Sequence, residues 1–281
     1  MRFAYNSNGL KQQSVADAVR LLADLGYDAI ELALQREHLH PLEASADEVG
    51  AVREMLKAGG LGVVCGAGVP HALSDERFEP SLFHPDSGGR ALRRRYLQAA
   101  LEVAAELGSE LLVTCTGRLQ PGVAPAQAWA WLVEGIGEIC RRAGELGIRM
   151  AVEPEPGHFV ETLDDYRRLR SEFGDPNLGL TVDVGHVYCT EAEPAHVEMA
   201  RVLREERLLH VQIEDMRDRR HEHLPFGEGE IDFPPIFRAL TEADYSGYVG
   251  VELSRHSHRA ANLAASSLTF LRSMTAASTM S

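Results

Sequence analysis

Glu153, Asp183, Gln212 and Glu252 stand at the ends of four short apolar runs, in MAVEPEPG, LTVDVGH, LLHVQIED and VGVELSRH. Each run has the length of a buried parallel strand, so the four side chains emerge at similar heights and can meet if the strands share one closed sheet. Three carboxylates and an amide carbonyl make a hard oxygen donor set. Such a set suits one divalent cation, Mn2+ or Mg2+ by preference, with Zn2+ and Co2+ as alternatives. The run LLHVQIED offers a second choice, because alternation puts His210 on the same face as Gln212, one layer deeper. Matching the count of apolar residues before each polar group selects Gln212, whereas ligand chemistry favours the imidazole of His210.

Further polar groups follow the same run ends. His186 completes a DxxH pattern with Asp183, and it is expected to contact substrate hydroxyl or phosphate groups together with Glu155, His71, Arg217, His221 and His223. The stretch HEHLPFGEGEID is glycine-bearing but lacks the GKS or GKT ending of a phosphate-binding P-loop. The only lysines are Lys11 and Lys57, neither at a strand end, which removes Schiff-base chemistry. Cys65, Cys115, Cys140 and Cys189 show no CxxC spacing, and they are expected to be reduced and mostly buried.

The elements that must position these groups are legible as an eightfold alternation of a short apolar strand with an amphipathic helix. The strand candidates are RFAYN, DAIELAL, LGVVCGA, SELLVTC, IRMAVE, LGLTVD, LLHVQIE and GYVGVEL. Helix starts are marked by Ser14 with Asp17, Ser45 with Glu48, and Thr162 with Asp165. Gly26, Gly108, Gly147 and Gly174 stand where helices should stop. The pattern predicts an α/β fold, a single (β/α)8 TIM barrel over residues 1 to 274, with a flexible tail over 275 to 281. Long polar loops are expected over 66 to 90, after the third strand, and over 214 to 234, after the seventh, as lid and walls of the pocket.

A chain of 281 residues with 44% hydrophobic and 25% charged content fits one large folded domain. Its formal charge of -14 opposes a phosphate backbone, and the one dense arginine run, RALRRRY, is expected to form a solvated helix face. No nucleic-acid partner is expected. Met1 leads directly into RFAYN, and no apolar stretch approaches a membrane span, so the expected setting is cytoplasmic, with no membrane partner. A homo-oligomer is compatible with this reading.

The motifs EPEPG, VDVGH, HVQIEDM with HEHLPFGEGEIDF, and VELSRH together resemble the sugar phosphate isomerase/epimerase family of xylose isomerase-like TIM barrels. They are similar, more distantly, to the endonuclease IV type of AP endonuclease. The strand rhythm carries the resemblance along nearly the whole chain, while its specific motifs lie within residues 151 to 256. The resemblance implies a divalent metal held by Glu153, Asp183, the strand-seven position and Glu252, with His186 on the substrate. It further implies that Glu153 and Glu252 are the catalytic pair, one removing a proton next to a carbonyl and the other returning it, with the metal stabilising the enediolate. The implied activity is isomerisation or epimerisation of a ketose, sugar phosphate or related polyol ketone. The alternative is a lyase or dehydratase using the same enolate, of the inosose dehydratase or C-glycoside-cleaving kind. Behind it stand an endonuclease IV-like phosphodiesterase and a catalytically silent sugar-binding barrel. Two departures from the resembled pattern stand out: Gln212 replaces the usual strand-seven histidine, and Arg219 stands where the nuclease type has an aspartate for its third metal.

Overall fold

Short runs of branched and small apolar residues, each followed by a helix with one apolar stripe, form the parallel strands of this chain. The computed structural model describes residues 1–174 and 177–278. The barrel strands are β1 (Arg2–Asn6), β2 (Ala29–Ala33), β3 (Gly62–Gly66), β4 (Leu111–Thr114), β5 (Arg149–Val152), β6 (Leu178–Asp183), β7 (Leu208–Ile213) and β10 (Tyr248–Val251). They close in the order β1, β10, β7, β6, β5, β4, β3, β2, with all the recorded pairings parallel, so the predicted TIM barrel is the fold. A separate antiparallel hairpin, β8 (Asp215–Arg217) and β9 (Arg220–Leu224), occupies part of the segment expected to be a plain loop after β7.

The chain groups into two compact units. The first comprises Met1–Leu32, Met55–Gly62 and Leu180–Ser281. Its helices include α1 (Val15–Leu25), α6 (Val184–Thr190), α7 (Ala195–Glu205), α8 (Phe233–Glu242) and α9 (Ala260–Ser278). Ala18, Val19 and Leu22 of α1, and Ile236, Phe237 and Leu240 of α8, recur at helical spacing and are buried. Each large apolar side chain so buried contributes roughly 1.5–3 kcal/mol. Ser14 caps α1 through the Asp17 amide at 3.1 Å, and Gly26 closes the helix in the left-handed conformation that a side chain would resist. Asp28 Oδ2 accepts from the Phe3 amide at 2.7 Å beside the β1 and β2 pairing. Thr275 to Ser278, expected to belong to a flexible tail, are part of α9. Residues 279 to 281 lie outside the described residues.

The second unit comprises Ala33–Glu54 and Val63–Gly179. It carries most of α2 (Ala46–Gly59), and all of α3 (Ser87–Leu107), α4 (Pro125–Glu145) and α5 (Leu163–Ser171). Thr162 and Asp165 form the reciprocal capping box expected for α5. The segment after β3 is packed through buried Phe78, Leu82 and Phe83, and α3 begins at Ser87, three residues before the expected loop end. Arg93 departs from the solvated face expected for RALRRRY. It is buried, with Nε donating to the Pro80 carbonyl at 2.6 Å and Nη2 to the Phe78 carbonyl at 2.9 Å. Its five donors suit the irregular backbone of that segment, whose carbonyls have no strand partner.

Candidate metal centre

In the first unit, Asp183 ends β6 and also caps α6. Its Oδ1 accepts from the His186 amide at 2.8 Å, which fixes the carboxylate and leaves Oδ2 buried without a hydrogen-bond partner. His186 Nε2 lies 3.7 Å from that oxygen. Burial alone would raise the Asp183 pKa, but the imidazoles of His186 and His223 outweigh it and hold the carboxyl below its ordinary range. Gly185 is required by close approach, because a β-carbon there would collide with the Glu214 carboxylate and Met216.

In β7, Gln212 is paired in register with Asp183 and His210 with Thr181, so Gln212 stands level with the acid and His210 lies below. Gln212 Nε2 donates to Glu31 Oε1 at 2.6 Å, and its Oε1 is buried without a partner. The carboxylate accepts only, so the amide orientation is set by chemistry. His210 is fully buried, with Nε2 at 3.6 Å from Glu31 Oε2 and neither ring nitrogen hydrogen-bonded. Burial pushes its pKa down to about 3, so the ring is neutral at ordinary pH.

Glu252 follows β10, and its Oε1 accepts from Asn8 Nδ2 at 2.5 Å. The β8 and β9 hairpin then delivers two histidines. Its two-residue turn, Asp218 and Arg219, has φ of 53° and 55°, a left-handed turn that matches the twist of a hairpin. His223 also has a positive φ, 52°, and its Nδ1 meets the Glu252 carbonyl at 3.2 Å. A non-glycine residue held in that region marks local strain retained at a site. Burial pushes the His223 pKa down to about 4. Asp215 anchors the return of the chain: its carboxylate accepts from the amides of Gly227 and Gly229, each at 2.9 Å, of Met216 at 3.0 Å and of Ile231 at 3.2 Å.

Two groups of side chains offer ligand atoms that all lie within 4.8 Å of one another in this unit: Asp183, His223 and Glu252, and separately His186, His221 and His223. Arg217 is exposed on the hairpin opposite Arg220. The sequence reading missed Glu31, Asn8 and Asp215. Glu31 carried a signal, an acid in the middle of the otherwise apolar strand AIELA, and Asn8 and Asp215 carried none.

In the second unit, Glu153 follows β5, buried, with its amide donating to the Thr114 carbonyl at 2.9 Å. Cys115, Glu155 and His158 form a further group within the same 4.8 Å limit. The His158 Nδ1 accepts from the Gly117 amide at 3.1 Å, so that nitrogen is already engaged. Burial, and after it the charges of Glu155 and Glu153, push the Cys115 thiol well above its ordinary range, which makes it a poor nucleophile. His71 is exposed on the segment after β3.

A family model described as a xylose isomerase-like TIM barrel matches residues 19–274. An inosose dehydratase of Glaesserella parasuis is 31% identical over 143 residues, 44% of this chain and 47% of that protein. The chain thus spans about half the length of the inosose dehydratases it matches. An uncharacterised protein of Methanocaldococcus jannaschii is 26% identical over 265 residues, 90% of this chain and 83% of that one. Among solved structures, a D-tagatose 3-epimerase-like protein superposes with a TM-score of 0.82 at 23% identity, covering 98% of both chains. A 3-keto-D-glucoside 4-epimerase from E. coli does so at 0.79 and 20% identity, covering 97% of this chain and 99% of that one. At those identities the likeness is one of fold.

Proposed function

Because this chain belongs to the family of xylose isomerase-like TIM barrels, we propose that it is a divalent-metal-dependent isomerase or epimerase of a ketose, sugar phosphate or related polyol ketone. The observation that carries the reading is the convergence of Asp183 and Glu252 with two buried, unpartnered oxygens, Asp183 Oδ2 and Gln212 Oε1. Oxygens left unsatisfied in a dry interior cost about 1–3 kcal/mol each unless a ligand answers them. They fit a cation that prefers oxygen, Mn2+ or Mg2+, held by Glu153, Asp183, Gln212 and Glu252. Such a cation supplies Lewis-acid stabilisation of negative charge developing on the substrate.

The remaining chemistry belongs to side chains. Glu153 and Glu252 are assigned as the proton-transfer pair, one carboxylate taking the proton from the carbon beside the carbonyl and the other returning it. Asn8 holds Oε1 of Glu252, which orients the second oxygen for that work. His186 and Glu155 are assigned to substrate hydroxyls. Four cysteines without a disulfide agree with a reducing, cytoplasmic setting, and among the described residues no helix is long and apolar enough to cross a membrane.

A second reading is favoured by the inosose dehydratase relatives: the same proton abstraction followed by loss of water from the neighbouring carbon. Incubating the metal-loaded protein in D2O with a panel of ketoses and inososes separates the two. Deuterium at one carbon with an unchanged formula supports epimerisation or isomerisation, loss of water supports the dehydratase, and neither with any member of the panel counts against both.

A further inference from the structure

Two buried polar side chains of β7 are met by one carboxylate from β2. Glu31, 1% exposed in a strand that is otherwise apolar and buried throughout, accepts from Gln212 Nε2 through Oε1 at 2.6 Å, and its Oε2 stands 3.6 Å from His210 Nε2. Register with β6 separates the two by one level, with Gln212 beside Asp183 and His210 beside Thr181. Gly250 of β10, in register with Gln212, leaves room for this arrangement, because a β-carbon there would press on Glu31 Oε2 and approach His210 Nε2 at 3.4 Å. A primary amide has a donor end and an acceptor end. A carboxylate oxygen on Nε2 therefore turns Oε1 away from Glu31, and that oxygen is buried without a hydrogen-bond partner. The strand thus carries both an amide and an imidazole, Glu31 faces both, and only the amide stands level with Asp183.

We propose that Glu31 is a positioning residue that sets the metal preference of the centre, by fixing Gln212 with its carbonyl oxygen free for the cation while the His210 imidazole stays one level below. This assignment rests on the preceding reading for the cation itself, and adds to it a side chain that acts through Gln212. An amide oxygen is a hard donor that favours Mn2+ and Mg2+, whereas imidazole favours Zn2+ and Co2+. A primary amide free to rotate about its terminal bond would also offer its NH2 group, which donates only and repels a cation. The hydrogen bond to Glu31 removes that state. It also polarises the amide toward its oxygen, because a carboxylate acceptor makes a charge-assisted bond in a dry interior. Outer partners of this kind typically change metal affinity by roughly 10–100-fold. The same carboxylate can accept the N–H of an imidazole placed at position 212, so changing that one residue is expected to reverse the preference.

The full-length protein is stripped with a chelator and titrated with Mn2+, with the free ion read by electron paramagnetic resonance. Buffered Zn2+ is then added at saturating Mn2+ until half of the bound Mn2+ is released, so the threshold reports the ratio of the two affinities. Neither reading needs a substrate. The wild type is expected to bind Mn2+. Glu31→Leu, which removes the acceptor, is expected to weaken Mn2+ by about tenfold or more and to lower the Zn2+ threshold. Gln212→His is expected to lower the threshold by tightening Zn2+. The Glu31→Leu/Gln212→His double variant should show less of that gain, because the imidazole has lost its own acceptor. Circular dichroism checks that each variant is folded. Glu31→Gln keeps the shape and can still turn an oxygen toward Gln212, so it covers a leucine variant that fails to fold, and a partial shift in the same direction is expected. A threshold left at the wild-type value in the folded Glu31 variants overturns the inference while the carboxylate reading stands, whether Mn2+ affinity is unchanged or falls together with that for Zn2+. So does a Gln212→His protein with the wild-type threshold. A wild type that takes up no Mn2+ overturns the reading of the centre, and the role of Glu31 with it.

Discussion

At the scale of single residues, the centre depends on side chains that are fixed before any ligand arrives. Asp183 is held by the His186 amide, Glu252 by Asn8, and Gln212 by Glu31. Glu153→Gln and Glu252→Gln are each expected to lower turnover by roughly 100-fold or more, the usual contribution of a general acid or base. Thermal melting of the metal-free proteins should stay close to wild type. Retention of more than about a tenth of the activity would remove that residue from proton transfer. Asn8→Ala should give a smaller loss, because it turns the Glu252 carboxylate without deleting it. The thiols make a different prediction. Burial pushes Cys65 up to about 12, and both it and Cys140 are buried. Iodoacetamide at about pH 8 should leave both unmodified in the folded protein and react with them in urea, because only the accessible thiolate attacks. Rapid native labelling of Cys65 would contradict the packing described for β3.

At the scale of elements, the hairpin after β7 is held by one carboxylate. Asp215 collects four backbone amides from both ends of the returning chain, and His221 and His223 ride on the strand between them. Asp215→Ala is expected to cost about 3 kcal/mol, the order of losing charge-assisted hydrogen bonds that no other group replaces. Urea unfolding would measure the stability, and turnover should fall as well because the histidines lose their platform. An unchanged unfolding midpoint would mean that the hairpin holds itself. Within β10, Gly250 has a comparable role, since a β-carbon there would press on Glu31 Oε2 and approach His210 Nε2 at 3.4 Å. Gly250→Ala should destabilise by about 1–3 kcal/mol and also weaken metal binding, because Glu31 is what orients Gln212. A change in stability with unaltered metal affinity would show that Glu31 does not transmit to the centre.

At the scale of the whole molecule, a ligand that binds only the folded chain stabilises it by mass action. Free Mn2+ at about a hundred times its dissociation constant adds roughly 2.7 kcal/mol, and the melting temperature should rise by several degrees. Calorimetry with Mn2+ and with a chelator measures this, and coincident transitions would count against a metal in the folded state. The eight strands and their parallel order were legible because each strand is a local event: a run of apolar residues of fixed length, bounded by caps and glycines, as in Thr162 with Asp165 and in Gly26. The matched height of Asp183 and Gln212 was legible for the same reason, since counting along a strand gives height in the barrel, whereas β10 puts Gly250 rather than Glu252 in register with Gln212. The arginine run failed as a surface because burial of Arg93 depends on carbonyls from an irregular segment more than ten residues away, at Phe78 and Pro80.

The sequence by itself determined the barrel and the matched height of Asp183 and Gln212, because these follow from local period and residue type. Only the tertiary structure decided that His210 lies below Gln212 against Glu31, that Arg217 faces solvent, and that His186, His221 and His223 meet. Those outcomes turn on the register between β6 and β7 and on a hairpin whose left-handed turn is made by Asp218 and Arg219 rather than by glycine. Contacts between residues distant in the chain are set by how whole elements pack, and a one-residue change of register reverses which face a side chain occupies.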